Sequence, residues 1–255
     1  MQEKTAQSKL IEVHGHKLYV ESHGSTSAPV LVMLHHGLGS GRSWKEQTPT
    51  LCEAGYRTLV YDRWGYGKSD HRPRLNAPYF EDDLADLYTL LRILGIKSAA
   101  LIGHSDGGTI ALYFAAKYPW MISKLITVAA HIYIEPKMKQ GVEGIKHSYE
   151  NGPRLRKGLR RLHGDKTEAV FNNWFNAWIN PKNLSWDMRP LLKKISCPAL
   201  VIQGIDDEHA TPAHARNIAD ALPNSDLWLQ PTAKHMMPQD DPTNFNQGII
   251  DFLQT

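Results

Sequence analysis

Short β-branched, apolar runs alternate with helical stretches along almost the whole chain, and this alternation limits the fold more than any other feature. "PVLVMLHH" is apolar nearly throughout and ends at a glycine, as a strand buried on both faces does. "YRTLVYD", "SAALIGH", "ISKLITVAA" and "CPALVIQG" have the same character, and "SDLWLQP" is a last short strand. "KLIEVHGHKLYVESHG" reads as an opening hairpin turning near His14-Gly15. Between the strands lie helix candidates: "SWKEQTPTLCEAG", "YFEDDLADLYTLLRILG", "GGTIALYFAAKYP", "PAHARNIADALP" and "PTNFNQGIIDFLQ". Strands alternating with helices predict a mostly parallel sheet covered on both faces, an α/β class. The rhythm breaks between about His131 and Pro190. That stretch holds Phe171, Trp174, Phe175, Trp178 and Trp186 with helical signals and no convincing strand. It reads as a helical cap (131–190) inserted into a core domain made of 1–130 and 191–255.

Composition narrows the function classes. A formal charge of +3 lacks the concentrated basic stripe of a nucleic-acid binder. The nearest approach, "PRLRKGLRRLHG", reads as the solvated face of a helix. Two distant cysteines, Cys52 and Cys197, fit neither a zinc site nor a disulfide framework. No run of about 18 apolar residues is present to span a membrane, and "MQEKTAQSKLIEVHG" lacks a secretory apolar region. The expected location is the cytoplasm. A monomer and a homodimer fit equally well.

"GHSDG" (Gly103–Gly107) falls between a strand and a helix. A turn that tight forces Ser105 into an unfavourable backbone conformation, and the two glycines remove side chains that would collide. The hydroxyl then stands at the carboxyl end of the sheet, facing a helix N-terminus that favours negative charge. This is the G-x-S-x-G nucleophile elbow. Serine needs a base, and the elbow predicts an acid and then a histidine downstream. "VIQGIDDEHATP" places Asp206 and Asp207 just past a strand, and "AKHMMPQDDP" places His235 after the last one. His235 is the expected base. Asp207, preferred over Asp206, would orient it, with His209 as a rival base. The oxyanion donors expected are the backbone N–H groups of Asp106 and of Leu38, in "HHGLGSGRSW". That glycine-rich loop lacks both the G-x-G-x-x-G and the P-loop patterns of nucleotide sites.

Together "LHHGLGSGRSW", "VYDRWGYGKSD", "GHSDGGTIALYFAAKYP", "VIQGIDDEHATP" and "AKHMMPQDDP" resemble the α/β-hydrolase superfamily across essentially the whole chain. The resemblance implies an eight-stranded, mostly parallel sheet with a helical cap after the sixth strand. Within the superfamily, "SDGG" followed by "AAKYP" is similar to the valacyclovir hydrolase, or biphenyl hydrolase-like, family and to bacterial carboxylesterases. In that family the aspartate after the nucleophile helps hold an amino group, which implies such a role for Asp106. "DRWGYGKS" resembles a structural loop of the superfamily, shaped by Arg63 and Gly65, with Trp64 at the pocket rim. Trp174 and Trp178 fit either the cap core or an apolar pocket wall over Ser105. The expected activity is hydrolysis of small carboxylic esters without metal or organic cofactor. Lactones and aminoacyl esters are the alternative substrates, and a non-catalytic receptor with a vestigial triad is the alternative class.

Overall fold

The computed structural model describes residues 7–255. The first six, counted above with the core and with the N-terminal stretch lacking an apolar region, lie outside the described residues. Strands β1 (Gln7–Val13) and β2 (His16–His23) form the expected hairpin. His14 (φ 46°) and Gly15 (φ 83°) both adopt the left-handed conformation that a two-residue hairpin turn demands. Strand β3 (Val30–Leu34) follows, then α1 (Thr48–Glu53) and β4 (Arg57–Tyr61). The helix expected over "SWKEQTPTLCEAG" is therefore shorter: Pro49 lies in its first turn, where proline begins helices rather than continuing them.

Helix α2 (Glu81–Ile93) begins with three acids and ends before Gly95 (φ 68°). Strand β5 (Ala99–His104) runs through Ser105 into α3 (Asp106–Lys117), and β6 (Ile122–Val128) comes next. Helices α4 (Pro136–Asn151), α5 (Pro153–His163), α6 (Thr167–Trp178) and α7 (Arg189–Leu192) are inserted before β7 (Ala199–Gly204). The chain finishes with α8 (Ala213–Ala221), β8 (Ser225–Gln230), α9 (Met237–Asp240) and α10 (Pro242–Gln254).

The eight strands form one sheet in the order β1-β2-β4-β3-β5-β6-β7-β8. β2 pairs antiparallel with β1 and β4, and every other pairing is parallel. Successive side chains of the central strands point to opposite faces. Val32 and Leu34 pack toward α2 and α3 with Leu87 and Phe114, whereas Leu31 and Met33 pack toward α1 and α10 with Leu51 and Phe245. Each of these leucines is fully buried and contributes roughly 2 kcal/mol of apolar transfer. The parallel register puts the carboxyl ends of β3, β5, β6, β7 and β8 on one rim, where loops gather reactive groups. An antiparallel bridge between Tyr133 and Asp187 ties together the two ends of the inserted helices. Pairing of single residues leaves no periodic pattern, so this bridge has no counterpart in the sequence reading. Both cysteines are free. Among the described residues, no helix is long and apolar enough to cross a membrane.

Candidate active site

Ser105 sits on the turn between β5 and α3 with φ 55° and ψ −119°, a conformation rarely adopted by residues other than glycine. Two contacts hold it there. The Ser105 N–H donates to the Val128 carbonyl (2.8 Å), and its own carbonyl accepts from Thr109 N–H (3.0 Å). A Cβ at Gly103 would land on the Gly107 carbonyl, and one at Gly107 on the Leu34 carbonyl. Both glycines are therefore required by close backbone approach.

Asp207 and His235 come from the loops after β7 and β8. The His235 Nδ1–H donates to both Asp207 oxygens (3.1 and 3.0 Å). Asp207 also accepts from the backbone N–H of His209 (2.8 Å) and of Ala210 (3.3 Å), and from Gln203 Nε2 (3.3 Å). It is fully buried, whereas Asp206 is exposed. Burial opposes ionisation of Asp207. The charge and hydrogen bond of His235, with the backbone N–H bonds, outweigh it and hold the carboxyl well below its usual range. Burial likewise opposes charging of His235, but Asp207 outweighs it and raises its pKa above the ordinary histidine value. His235 is also fixed through its backbone. Its N–H donates to Glu208 Oε2 (3.1 Å), and its carbonyl accepts from His104 Nε2–H (2.8 Å). His209, the rival base, lies edge-on to the His235 ring at 4.6 Å, and its ring makes no hydrogen bond to Asp207.

Ser105, Asp106, Leu38, His235, Trp174 and Trp178 line one cavity of about 940 Å³, between the strand ends and the inserted helices. Among the described residues Ser105 Oγ makes no hydrogen bond, to His235 Nε2 or to any other group. Such contacts often tighten only when substrate binds. The Leu38 carbonyl accepts from His163 Nε2–H of α5 (3.0 Å), while His163 Nδ1 accepts from Gly67 N–H (2.9 Å). Burial holds His163 neutral, with a pKa lowered to about 4. A histidine from the inserted helices thus pins the loop that carries Leu38.

Asp106 is fully buried on the cavity wall. Its Oδ1 accepts from Trp178 Nε1–H (3.1 Å), and Oδ2 has no hydrogen-bond partner, with Arg63 Nη2 3.8 Å away. Burial pushes its pKa up to about 6 against the pull of Arg63. Arg63 itself bonds Asp83 (3.0 Å), so it does more than shape its loop. Trp64 does not reach this cavity. It stacks on His16 at 4.1 Å, donates its indole N–H to the His71 carbonyl, and lines a separate, narrow cleft with Arg72 and Lys166. The expectation that it forms the pocket rim is overturned by that stacking. Phe171 and Phe175 are buried in the hydrophobic core that also packs on α2 and α3, with Phe171 stacked on Tyr149 at 3.8 Å.

Sequence reasoning missed His131 and His36. His131 is buried and His36 half-buried, both on the cavity wall, and desolvation lowers the pKa of each, that of His36 to about 3. Neither ring nitrogen of His131 has a hydrogen-bond partner. No local motif marks either residue. Among the described residues, no group of three or more histidines, cysteines or acids is placed to hold a metal ion.

The chain matches the α/β-hydrolase fold family over residues 29–151. It is 32% identical over 252 residues to the serine hydrolase BPHL of Homo sapiens, covering 97% of this chain and 86% of that one. It is 27% identical over 279 residues to the putative carbamate hydrolase RutD of Caulobacter sp. strain K31, covering 99% and 98% of the two. The solved enol-lactonase from Burkholderia xenovorans LB400 shares the fold with a TM-score of 0.80 at 23% identity, covering 97% and 100% of the two chains. The protein belongs to the α/β-hydrolase family.

Proposed function

We propose that this chain is a serine hydrolase of carboxylic esters that works through an acyl-enzyme on Ser105. The observation that carries the reading is the 3.0 Å hydrogen bond from His235 Nδ1 to a buried Asp207, at a cavity that also holds a strained, unbonded Ser105 hydroxyl. With Nδ1 protonated, neutral His235 has Nε2 free to accept the Ser105 proton. The serine oxygen forms a bond to the ester carbonyl carbon, and the carbonyl electrons move onto oxygen. The N–H groups of Asp106 and Leu38 are the donors assigned to that oxyanion. Neither has an acceptor among the backbone bonds of the described residues. Collapse of the intermediate expels the alcohol, which takes its proton from His235. Water then repeats the sequence and releases the acid. The cavity, of about 940 Å³, lies near the upper end of the range of small-molecule sites and has room for an ester with an extended acyl or alcohol part. The test is turnover of p-nitrophenyl esters from acetate to dodecanoate, with a carbamate included because one relative is a putative carbamate hydrolase. Ser105→Ala should abolish turnover with the fold intact, and retained turnover in the purified variant would sink the assignment. A receptor would turn over none of the panel even in the wild type.

A second reading is favoured by one observation: the unpartnered Oδ2 of buried Asp106. A carboxylate with a pKa near 6 is charged at neutral pH, and its open oxygen suits the ammonium of an aminoacyl ester. A strong preference for a free α-amino group, lost in Asp106→Ala, would establish it. Equal rates on acyl and aminoacyl esters would exclude it.

A further inference from the structure

We propose that the mouth of the Ser105 cavity is an anion subsite, so that preferred substrates carry a carboxylate several bonds beyond the carbonyl that Ser105 attacks. The proposal rests on the ester-hydrolase reading for its place in catalysis, though not for binding itself.

The charges around the cavity are lopsided. Its wall includes Arg42, Lys45, Arg154 and Arg161, against a single carboxylate, Asp106. Asp106 is fully buried, with Arg63 beside it. Lys45 is matched by Glu46 at 3.2 Å. Among the described residues Arg42, Arg154 and Arg161 have no ion pair and no side-chain hydrogen bond. Three guanidiniums that find no anion within the protein are available to one from outside. Their planar forks match a carboxylate.

The basic residues of α5 also divide by face, which a merely solvating charge run would not require. Arg156 turns away from the cavity and bonds Glu168, and Lys157 and Arg160 do not line the cavity. Arg154 and Arg161 do line it, seven residues and about two helical turns apart. Between them lies Gly158, also on the cavity wall, with nothing within 4 Å of where a Cβ would stand. No packing contact calls for glycine there, and glycine inside a helix is unfavourable. The cavity lining also includes the buried Met138, Val142 and Leu159 and the half-buried Leu155, which offer an apolar surface. An alkyl or aryl spacer ending in a carboxylate satisfies both parts. All five of these basic residues are exposed, as expected of a solvated face, and Arg154 and Arg161 line the cavity as well.

The test compares p-nitrophenyl monoesters of glutarate, adipate and suberate with their neutral methyl-ester counterparts. At low ionic strength the anions should show the higher kcat/KM, and the preference should shrink as salt is added. Arg154→Gln combined with Arg161→Gln should lower the preference by about tenfold, through KM for the anion, as expected for two partly solvated guanidiniums. Arg156→Gln combined with Lys157→Gln, on the outer face, should leave the preference where it was. A second arm does not depend on turnover. Monomethyl adipate and dimethyl adipate are titrated into Ser105→Ala protein, with the fluorescence of Trp174 and Trp178 as the signal. Tighter binding of the anion, lost in the Arg154/Arg161 double variant, sustains the subsite even if no ester is hydrolysed, and then only the esterase reading fails. Equal binding of the two probes, or a preference that salt and the double variant leave unmoved, overturns the subsite.

Discussion

Replacing Asp207 with Asn isolates the part of the site that sets the direction of proton flow. Asp207 accepts from four donors: His209 N–H and Ala210 N–H on Oδ1, Gln203 Nε2 on Oδ2, and His235 Nδ1 on both. An asparagine has one acceptor oxygen. The two backbone donors cannot turn away, so the oxygen stays with them and the amide NH₂ takes the place of Oδ2. His235 Nδ1 then faces an N–H donor at its shorter contact and shares the remaining oxygen with two backbone donors, which favours Nδ1 as an acceptor and the ring proton on Nε2. In that tautomer His235 cannot take the proton from Ser105. The cost expected for a misplaced tautomer is about 10³- to 10⁴-fold in kcat, or roughly 4–5.5 kcal/mol of transition-state stabilisation. The assay is kcat/KM on the best p-nitrophenyl ester as a function of pH. In the wild type the base form of His235 is lost on the acid side, below a pKa raised above the ordinary histidine value of 6.5. In the variant that charge is gone, and burial, which lowers the pKa, is left to act. The acid limb of the residual activity should therefore move to lower pH. Asp206→Asn, on an exposed side chain, should change kcat/KM less than about twofold. A loss smaller than tenfold in Asp207→Asn, or an equal loss in Asp206→Asn, would refute the reasoning.

Three further outcomes are expected. Ser105→Gly should be inactive yet more stable by about 1 kcal/mol, because φ 55° costs a serine more than a glycine; a Tm raised by about 2–4 °C supports this and a lowered one contradicts it. His163→Leu leaves the Gly67 N–H and the Leu38 carbonyl without partners, which should cost about 2–4 kcal/mol in urea unfolding. The same change should lower kcat about tenfold by loosening the Leu38 loop, and an unchanged kcat in the folded variant would separate His163 from the site. Arg63→Met strips the buried Asp83 and Asp106 of a shared cation and should destabilise by about 3–5 kcal/mol; a loss under 1 kcal/mol, measured by chemical denaturation, would show that Arg72, 2.7 Å from Asp83, suffices alone.

What the sequence discloses about this protein divides according to the range of the forces involved. Strand and helix identities rest on periodicity within a dozen residues, and the elbow rests on Gly103 and Gly107 clearing space two residues either side of Ser105. Both were legible for that reason. The order acid then histidine was legible too, because each follows a strand whose end the parallel register brings to one rim. Trp64 was misplaced because its stacking partner, His16, is supplied by the opening hairpin, and no local pattern announces that contact. The two faces of α5 were indistinguishable for a related reason. A helix with basic residues on several sides acquires an inside only when it docks, and the contacts of α5 include His163 reaching the Leu38 carbonyl across a separation of 125 positions and the burial of Leu159. Periodicity can state that a helix is amphipathic, but not which of its arginines the cavity will claim. On the proposed reading, chemistry lies with the locally encoded strand ends and selectivity with the inserted helices, whose orientation involves a few long-range polar contacts. Changes in α5 that spare His163 should accordingly retune substrate choice without disturbing the reacting groups.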